Sequence, residues 1–397
     1  MKMNRVAIWV ALSAMIATNL TAADWPCWRG PDRNGISKET GLNLAGISTK
    51  NWNVKIGVGY SSVTVADGRI YALGNLNGED TISCLDAVTG KKIWRYSYSC
   101  SKGKGYVGPR ATPVVANGKV YAFSRKGQLN CIDSKTGRFL WALDVRKFGA
   151  KNLSWQFSGS PIVIDGMVIL NAGKNGMAFD AETGKKVWAS SGRGGYATPM
   201  PFKYHKKHYV AIFGFDTLFI VQPKNGNVVA SAPWQTKYNV NAADPVLTQS
   251  GDGIFISSGY GNAGALFKFT GRSLKQVWKN KNLKTHISTP VLLKGNLYGA
   301  DGNTGRGSLV CVDLKTGCER WREKSAGYGS CIVADGKIFY LRDRGVLIVC
   351  KASPKGFAKL ASVKLFHGRQ NWTVPVLANG RLYCRGSQGD LVCMNLK

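Results

Sequence analysis

Few residues in this 397-residue chain stand at spacings that could do chemistry. Gly259-Tyr260-Gly261-Asn262-Ala263-Gly264 fits the glycine-rich pattern that cradles phosphate. That use needs a helix to open behind it, and a strand-like run follows, so the segment reads as a hairpin turn. His205 and His208 flank Lys206-Lys207 and could face each other as imidazole ligands. Two ammonium groups beside them would repel a cation, so a solvated turn is expected. Asp301-Gly302-Asn303-Thr304-Gly305 begins like a calcium loop but lacks the later acidic ligand. No nucleophile, base and acid stand in a recognisable arrangement, so neither a catalytic residue nor a metal ligand is assigned. Binding chemistry is better represented. Tyr60, Arg110, Phe157, Tyr196, Asn241, His286, Tyr328 and Trp372 recur at one position of a repeated unit, with Trp155 and Asn371 close by. Aromatic faces combined with Arg, Asn and His suit a sugar, a peptide or another polar ligand.

The unit that positions them recurs along almost the whole chain. Its clearest copies run over 61–98, 111–145 and 159–192. A small residue, usually followed by Pro, precedes a short apolar run; then comes Asp67-Gly68, Asn117-Gly118 or Asp165-Gly166, and a second apolar run. A third run leads into Asp-x-x-Thr-Gly at 86–90, 133–137 and 180–184, and Trp94, Trp141 or Trp188 follows four residues after the glycine. Asn-Gly and Asp-Gly supply the positive φ angles of tight hairpins. In Asp-x-x-Thr-Gly the carboxylate can accept amide protons across the turn while Gly takes the left-handed position. Each unit therefore reads as a four-stranded antiparallel meander. Its outer Trp offers a broad face for docking against the next unit, because a lone sheet cannot bury both faces.

Five more units are more worn. They begin at Ala197-Thr198-Pro199, Asp244-Pro245, Thr289-Pro290, the run before Asp335-Gly336, and Val374-Pro375. The fifth ends in Trp278 and the sixth in Trp321, whereas the fourth lacks the Trp. The eighth unit has only three strands, and Asn51 to Ile56, carrying Trp52, resembles the missing outer strand. The expectation is an all-β, eight-bladed β-propeller of four-stranded antiparallel blades over residues 50–397, its ring closed by that N-terminal strand. Seven blades is the alternative, if the fourth and fifth units are less regular. In such a ring the ten residues named above surround one mouth of the central channel, either lining a site or filling it.

The Asp-x-x-Thr-Gly…Trp unit resembles the tryptophan-docking motif of quinoprotein-type, or PQQ-like, β-propellers. Trp25-Pro26-Cys27-Trp28-Arg29-Gly30-Pro31 also resembles the leader of secreted members with no assigned activity. The family holds quinoprotein alcohol dehydrogenases and a non-catalytic periplasmic lipoprotein that helps insert outer-membrane barrels, so the resemblance implies the fold and leaves function open. A dehydrogenase of this family would carry two adjacent Cys stacked on its pyrroloquinoline quinone (PQQ), and no two Cys are neighbours here. It would also hold Ca²⁺ at the channel mouth, where the entry segments are poor in acids. Its general base would be an Asp, for which Asp244 is the one reasonable match.

Residues 1–23 have the pattern of a signal peptide: Lys2 and Arg5, an uncharged run from Val6 to Ile16, and small residues at Thr21-Ala22-Ala23. Residues 24–49 form a leader segment. No later run is long and apolar enough to cross a membrane. Of the ten Cys, Cys84, Cys131, Cys311, Cys350 and Cys393 share one repeat position where Ala178 and Ile220 stand elsewhere. They are read as buried small side chains, while Cys84–Cys100, Cys311–Cys318 and Cys350–Cys384 remain open as pairs. The net charge of +32 concentrates partly at Lys91-Lys92, Lys135, Arg138, Lys185-Lys186, Lys224, Arg272, Lys315 and Lys355, beside the turns between third and fourth strands. Nucleic acid would fit electrostatically but not an exported protein. The reading is a periplasmic or extracellular, non-catalytic binding scaffold for an anionic glycan or an envelope protein. The alternative is a small PQQ- and Ca²⁺-dependent oxidoreductase of alcohols or sugars.

Overall fold

The computed structural model describes residues 23–101 and 105–397. The signal-peptide segment therefore lies, Ala23 apart, outside the described residues. Eight antiparallel sheets follow one another along the chain. Blade 1 contains Val63–Ala66, Arg69–Leu76, Glu79–Asp86 and Lys92–Ser99, from the channel outward. Blades 2 to 7 begin with inner strands Val114–Ala116, Ile162–Ile164, Met200–Tyr204, Val246–Leu247, Val291–Leu293 and Gly329–Ala334. Blade 8 has only Val376–Ala378, Arg381–Arg385 and Asp390–Asn395 from the C-terminal end. Trp52–Lys55 completes it, with Trp52 opposite Cys393 and Lys55 opposite Asp390. The ring has eight blades, not seven.

The turns follow from local chemistry. Asp67, Asn117, Asp165, Asp335 and Asn379 all take φ near +50°, each followed by a Gly near +70°, which joins the inner two strands of a blade with minimal loop. In the turn after Asp86, its Oδ1 accepts from the amides of Val88 and Thr89 at 3.1 and 2.7 Å and from the Thr89 hydroxyl at 2.8 Å. Asp133 and Asp180 repeat that arrangement. Hydrogen bonding to the Thr holds these carboxyls below the usual range.

Blades dock through the Trp column. The Trp94 indole lies over Gly137, where a β-carbon would sit 2.7 Å from Cδ2, and its Nε1 donates to the Ser134 carbonyl at 3.0 Å. Trp52 lies likewise on Gly90, Trp141 on Gly184, Trp188 on Gly226 and Trp278 on Gly317. Trp321 has no such glycine; it donates to Ser353 O and packs beside Phe357. The Cys column explains itself in this geometry. Cys84 stands between Tyr71 on one neighbouring strand and Trp94 on the other, whose rings come within 5.9 Å of each other. Only a small side chain fits beneath that contact, and all five column cysteines are 0% exposed. All ten Cys are free thiols, so the three pairs left open by sequence are not formed.

The leader does more than precede the ring. Trp25 exchanges two backbone hydrogen bonds with Val65 of blade 1, and Pro26 O accepts from Val115 of blade 2. Arg29 then donates to Thr289 O and Pro290 O at the entry to blade 6, both at 2.8 Å. Ile36–Ser37 pairs in parallel with Gly329–Ala334, making blade 7 five-stranded. The segment thus spans the ring from beside the inner-strand turns of blades 1 and 2 to the strand-entry residues of blade 6.

Candidate functional site

At the end of the ring where each chain segment enters its inner strand, the blades are stitched together around the channel. At five successive joints the backbone N–H of one entry residue donates to the side chain of the next one round. Ser62 donates to Thr112, Thr112 to Ser160 and Ser160 to Thr198 at 2.9–3.1 Å. Thr198 donates to Asp244 Oδ1 at 2.7 Å, and Asp244 to Thr289 Oγ1 at 2.8 Å. Asp244 is the one acid in this run of hydroxyls. Its second oxygen accepts from the Thr289 hydroxyl at 2.9 Å and from the Trp28 indole N–H at 2.7 Å. The carboxylate the sequence offered as a base is buried and receives donors on both oxygens.

Above this girdle lies a cavity of about 200 Å³. Six of the ten residues predicted for the mouth line it: Tyr60, Arg110, Trp155, Tyr196, His286 and Trp372. Tyr60 stacks on Trp372 with centroids 5.1 Å apart, and Tyr106 sits against both Trp372 and Trp155. Across the cavity Tyr260 meets His286 edge-on at 4.7 Å. Arg110 donates to the carbonyls of Tyr106 and Gly108 and to Gln156 Oε1, and no carboxylate stands in ion-pair reach of it among the described residues. Burial lowers its pKa to about 10, so it stays charged at neutral pH. His286 is 9% exposed, its Nδ1 has no partner, and burial pulls its pKa down to about 4.

The other four predicted residues do not reach the cavity. Phe157 packs against Phe123 beneath the surface. Asn241 spends its amide on the carbonyls of Gly214, Phe215 and Trp234. The Tyr328 hydroxyl accepts from the amides of Ile287 and Ser288, and Asn371 donates to Asp343 O. They share the repeat position, but local loop geometry turns their side chains inward as braces. Conversely, sequence reasoning missed Trp28, which comes from the leader, and Tyr106, Tyr260 and Thr304, which come from loops between blades or between strands. The near-motif containing Tyr260 had marked one of those loops as a turn.

The His205–His208 turn sits apart, and the Asp301–Gly305 segment reaches the cavity through Thr304. His208 Nδ1 pairs with Asp165 Oδ2 at 2.9 Å, and His205 and Lys206 form the left-handed turn beside it. Asp301 is held by Lys284 and Arg322. Among the described residues no three His, Cys, Asp or Glu gather as a metal would require. The basic residues of the outer turns are all exposed, at the end of the ring opposite the cavity.

A family model described as outer membrane protein assembly factor BamB matches residues 43–142 and 78–323. The chain belongs to this family. BamB of Moranella endobia (strain PCIT) is 23% identical over 328 residues, covering 77% of this chain and 80% of that protein. The quinohemoprotein alcohol dehydrogenase ADH-IIG of Pseudomonas putida is 32% identical over only 137 residues, 31% of this chain and 18% of the enzyme. Among solved structures, BamB from Moraxella catarrhalis aligns with a TM-score of 0.66 at 15% identity, covering 87% of this chain and 99% of its own. That last likeness is one of fold.

Proposed function

We propose that this protein is a non-catalytic binding scaffold of the cell envelope, exported through its N-terminal segment and engaging an envelope protein or an anionic glycan. The observation that carries the reading is the state of Asp244, the single acid lining the cavity. Donors from Thr198, Thr289 and Trp28 engage both its oxygens and fill three of their roughly four lone-pair sites, so the carboxylate is committed to holding the girdle and the leader together rather than poised to take a substrate proton. Ca²⁺ wants six to eight oxygen ligands, and one committed carboxylate among aromatic rings is a poor fit. The quinone-dependent reading is therefore supported less. Its best argument is the local match to alcohol dehydrogenase, which covers a third of the chain. The assembly factors match along most of their length, and their name supports a partner among envelope proteins. Among the described residues no helix is long and apolar enough to cross a membrane.

The test is a calorimetric titration of the chain from Asp24 onward with pyrroloquinoline quinone and Ca²⁺, paired with a dye-reduction assay on alcohols and sugars. The expected result is no saturable heat and no turnover. Micromolar binding accompanied by substrate-dependent dye reduction would overturn the reading.

A further inference from the structure

Beside the cavity described above lies a second hollow, of about 620 Å³, lined in part by Lys284, Arg306 and Arg369. Tyr260 and Thr304 border both, so the two form one site with an aromatic cup and a cationic shelf. Arg306 and Arg369 are exposed and form no ion pair among the described residues. Lys284 is tied to Asp301. In the cup, Arg110 is a cation without a carboxylate, and His286 Nδ1 and Trp372 Nε1 are buried without partners. Unpaired buried polar atoms are costly unless something outside the chain completes them.

Three features narrow the ligand. The face of the 46%-exposed Trp155, beside the stacked pair of Tyr60 and Trp372, offers a platform for the C–H face of a saturated ring. Cup volume matches one ring rather than a folded segment. The entry backbone offers no free strand edge, because the girdle already uses the N–H groups of Ser62, Thr112, Ser160, Thr198 and Asp244. A peptide that binds by adding a strand would need such an edge; a sugar does not. Building on the reading that this site binds rather than catalyses, we infer that it takes an acidic saccharide. One ring stacks in the cup with its carboxylate toward Arg110, and the next acidic residue lies over Arg306 and Arg369. Arg matches a planar carboxylate with paired donors.

The experiment titrates the chain with trigalacturonate, with its neutral methyl ester, and with an acidic hexapeptide, at low and moderate salt. Trigalacturonate is expected to bind at least tenfold tighter than either other probe and to weaken with salt. Trp155→Ala and the double change Arg306→Gln/Arg369→Gln, all at exposed positions, are each expected to lower that affinity at least fivefold with an unchanged melting temperature. Equal affinity for the ester, preference for the peptide, no saturable binding, or binding indifferent to both variants would overturn the inference. Mass analysis of the recovered saccharide separates the two levels: an unaltered but unbound sugar sinks only the acidic-saccharide assignment, whereas an oxidised or cleaved one sinks the binding-only reading beneath it.

Discussion

The contact of Trp94 with Gly137 can be dissected with a double-mutant cycle. Trp94 is 8% exposed, touches the next blade across Gly137 and donates its N–H to Ser134 O. Trp94→Ala removes a large ring from a packed joint, worth about 3–5 kcal/mol. The hydrogen bond adds little, because Ser134 O keeps donors from Tyr71 and Arg69. Gly137→Ala has two separate costs. Its φ of +75° strains any L side chain by about 1–2 kcal/mol, and its new β-carbon would stand 2.7 Å from the indole. Once Trp94 is gone the second cost disappears while the first remains. The double variant should therefore be more stable than the sum of the single effects by about 1–3 kcal/mol. Urea unfolding followed by far-ultraviolet circular dichroism supplies the four free energies. Additivity within about 0.5 kcal/mol would refute the claim that the glycine exists to receive the indole.

Trp28→Phe keeps most of the cup floor but deletes the indole donor to Asp244, and should cost about 1.5–3 kcal/mol in the same urea assay, the worth of a hydrogen bond to a charged group. His286 takes up its proton near pH 6.5 when unfolded and near 4 when folded, so its contribution is whole above pH 6.5 and lost as pH falls toward 4. Stability should drop by about 3 kcal/mol across that window, and His286→Phe should flatten this component of the pH profile. Ellman titration of the native chain should show one fast thiol, the exposed Cys318, and ten thiols in denaturant; several fast thiols would contradict the packing of the Cys column.

The ring was legible because its determinants are local. Asp-Gly and Asn-Gly turns, the Asp-x-x-Thr-Gly loops and the Trp column each act within one blade or between neighbours, so a repeat read along the chain carries over to space. Even the closing strand was legible, since Trp52 lacked the three strands that should precede it. The leader was not. Pairing of Ile36–Ser37 with blade 7 depends on residues some 300 positions away, and a two-residue parallel contact leaves no periodic pattern. The cup was half legible for a related reason. A repeat column locates the α-carbons of mouth residues, but whether a side chain faces the channel depends on its loop. Tyr60 and Trp372 turn toward it, whereas Tyr328 turns away to hold two amides.

Contacts between neighbours alone would leave the ring weakest at its joint, where the two ends of the chain meet and fraying costs least. Three devices oppose that. Trp52–Lys55 pairs with Asp390–Asn395 and puts its indole on Gly90 of blade 1. Arg385 of blade 8, fully buried, reaches the carbonyls of Gly57, Ser61 and Leu73 at 2.7–3.0 Å; burial depresses its pKa to about 9, so it remains a cation satisfied by carbonyls. The leader ties blades 1 and 2 to blades 6 and 7 across the ring, linking units that no nearest-neighbour contact joins. The joint should then open only with the whole molecule. Native-state hydrogen exchange tests this: the amides of Val392 and Cys393, at the closing strand, should exchange with the same free energy as those of Val210 and Ile212 in blade 4. Exchange at the joint several kcal/mol below that of blade 4 would mean that the ring unzips there first and that the braces carry no weight.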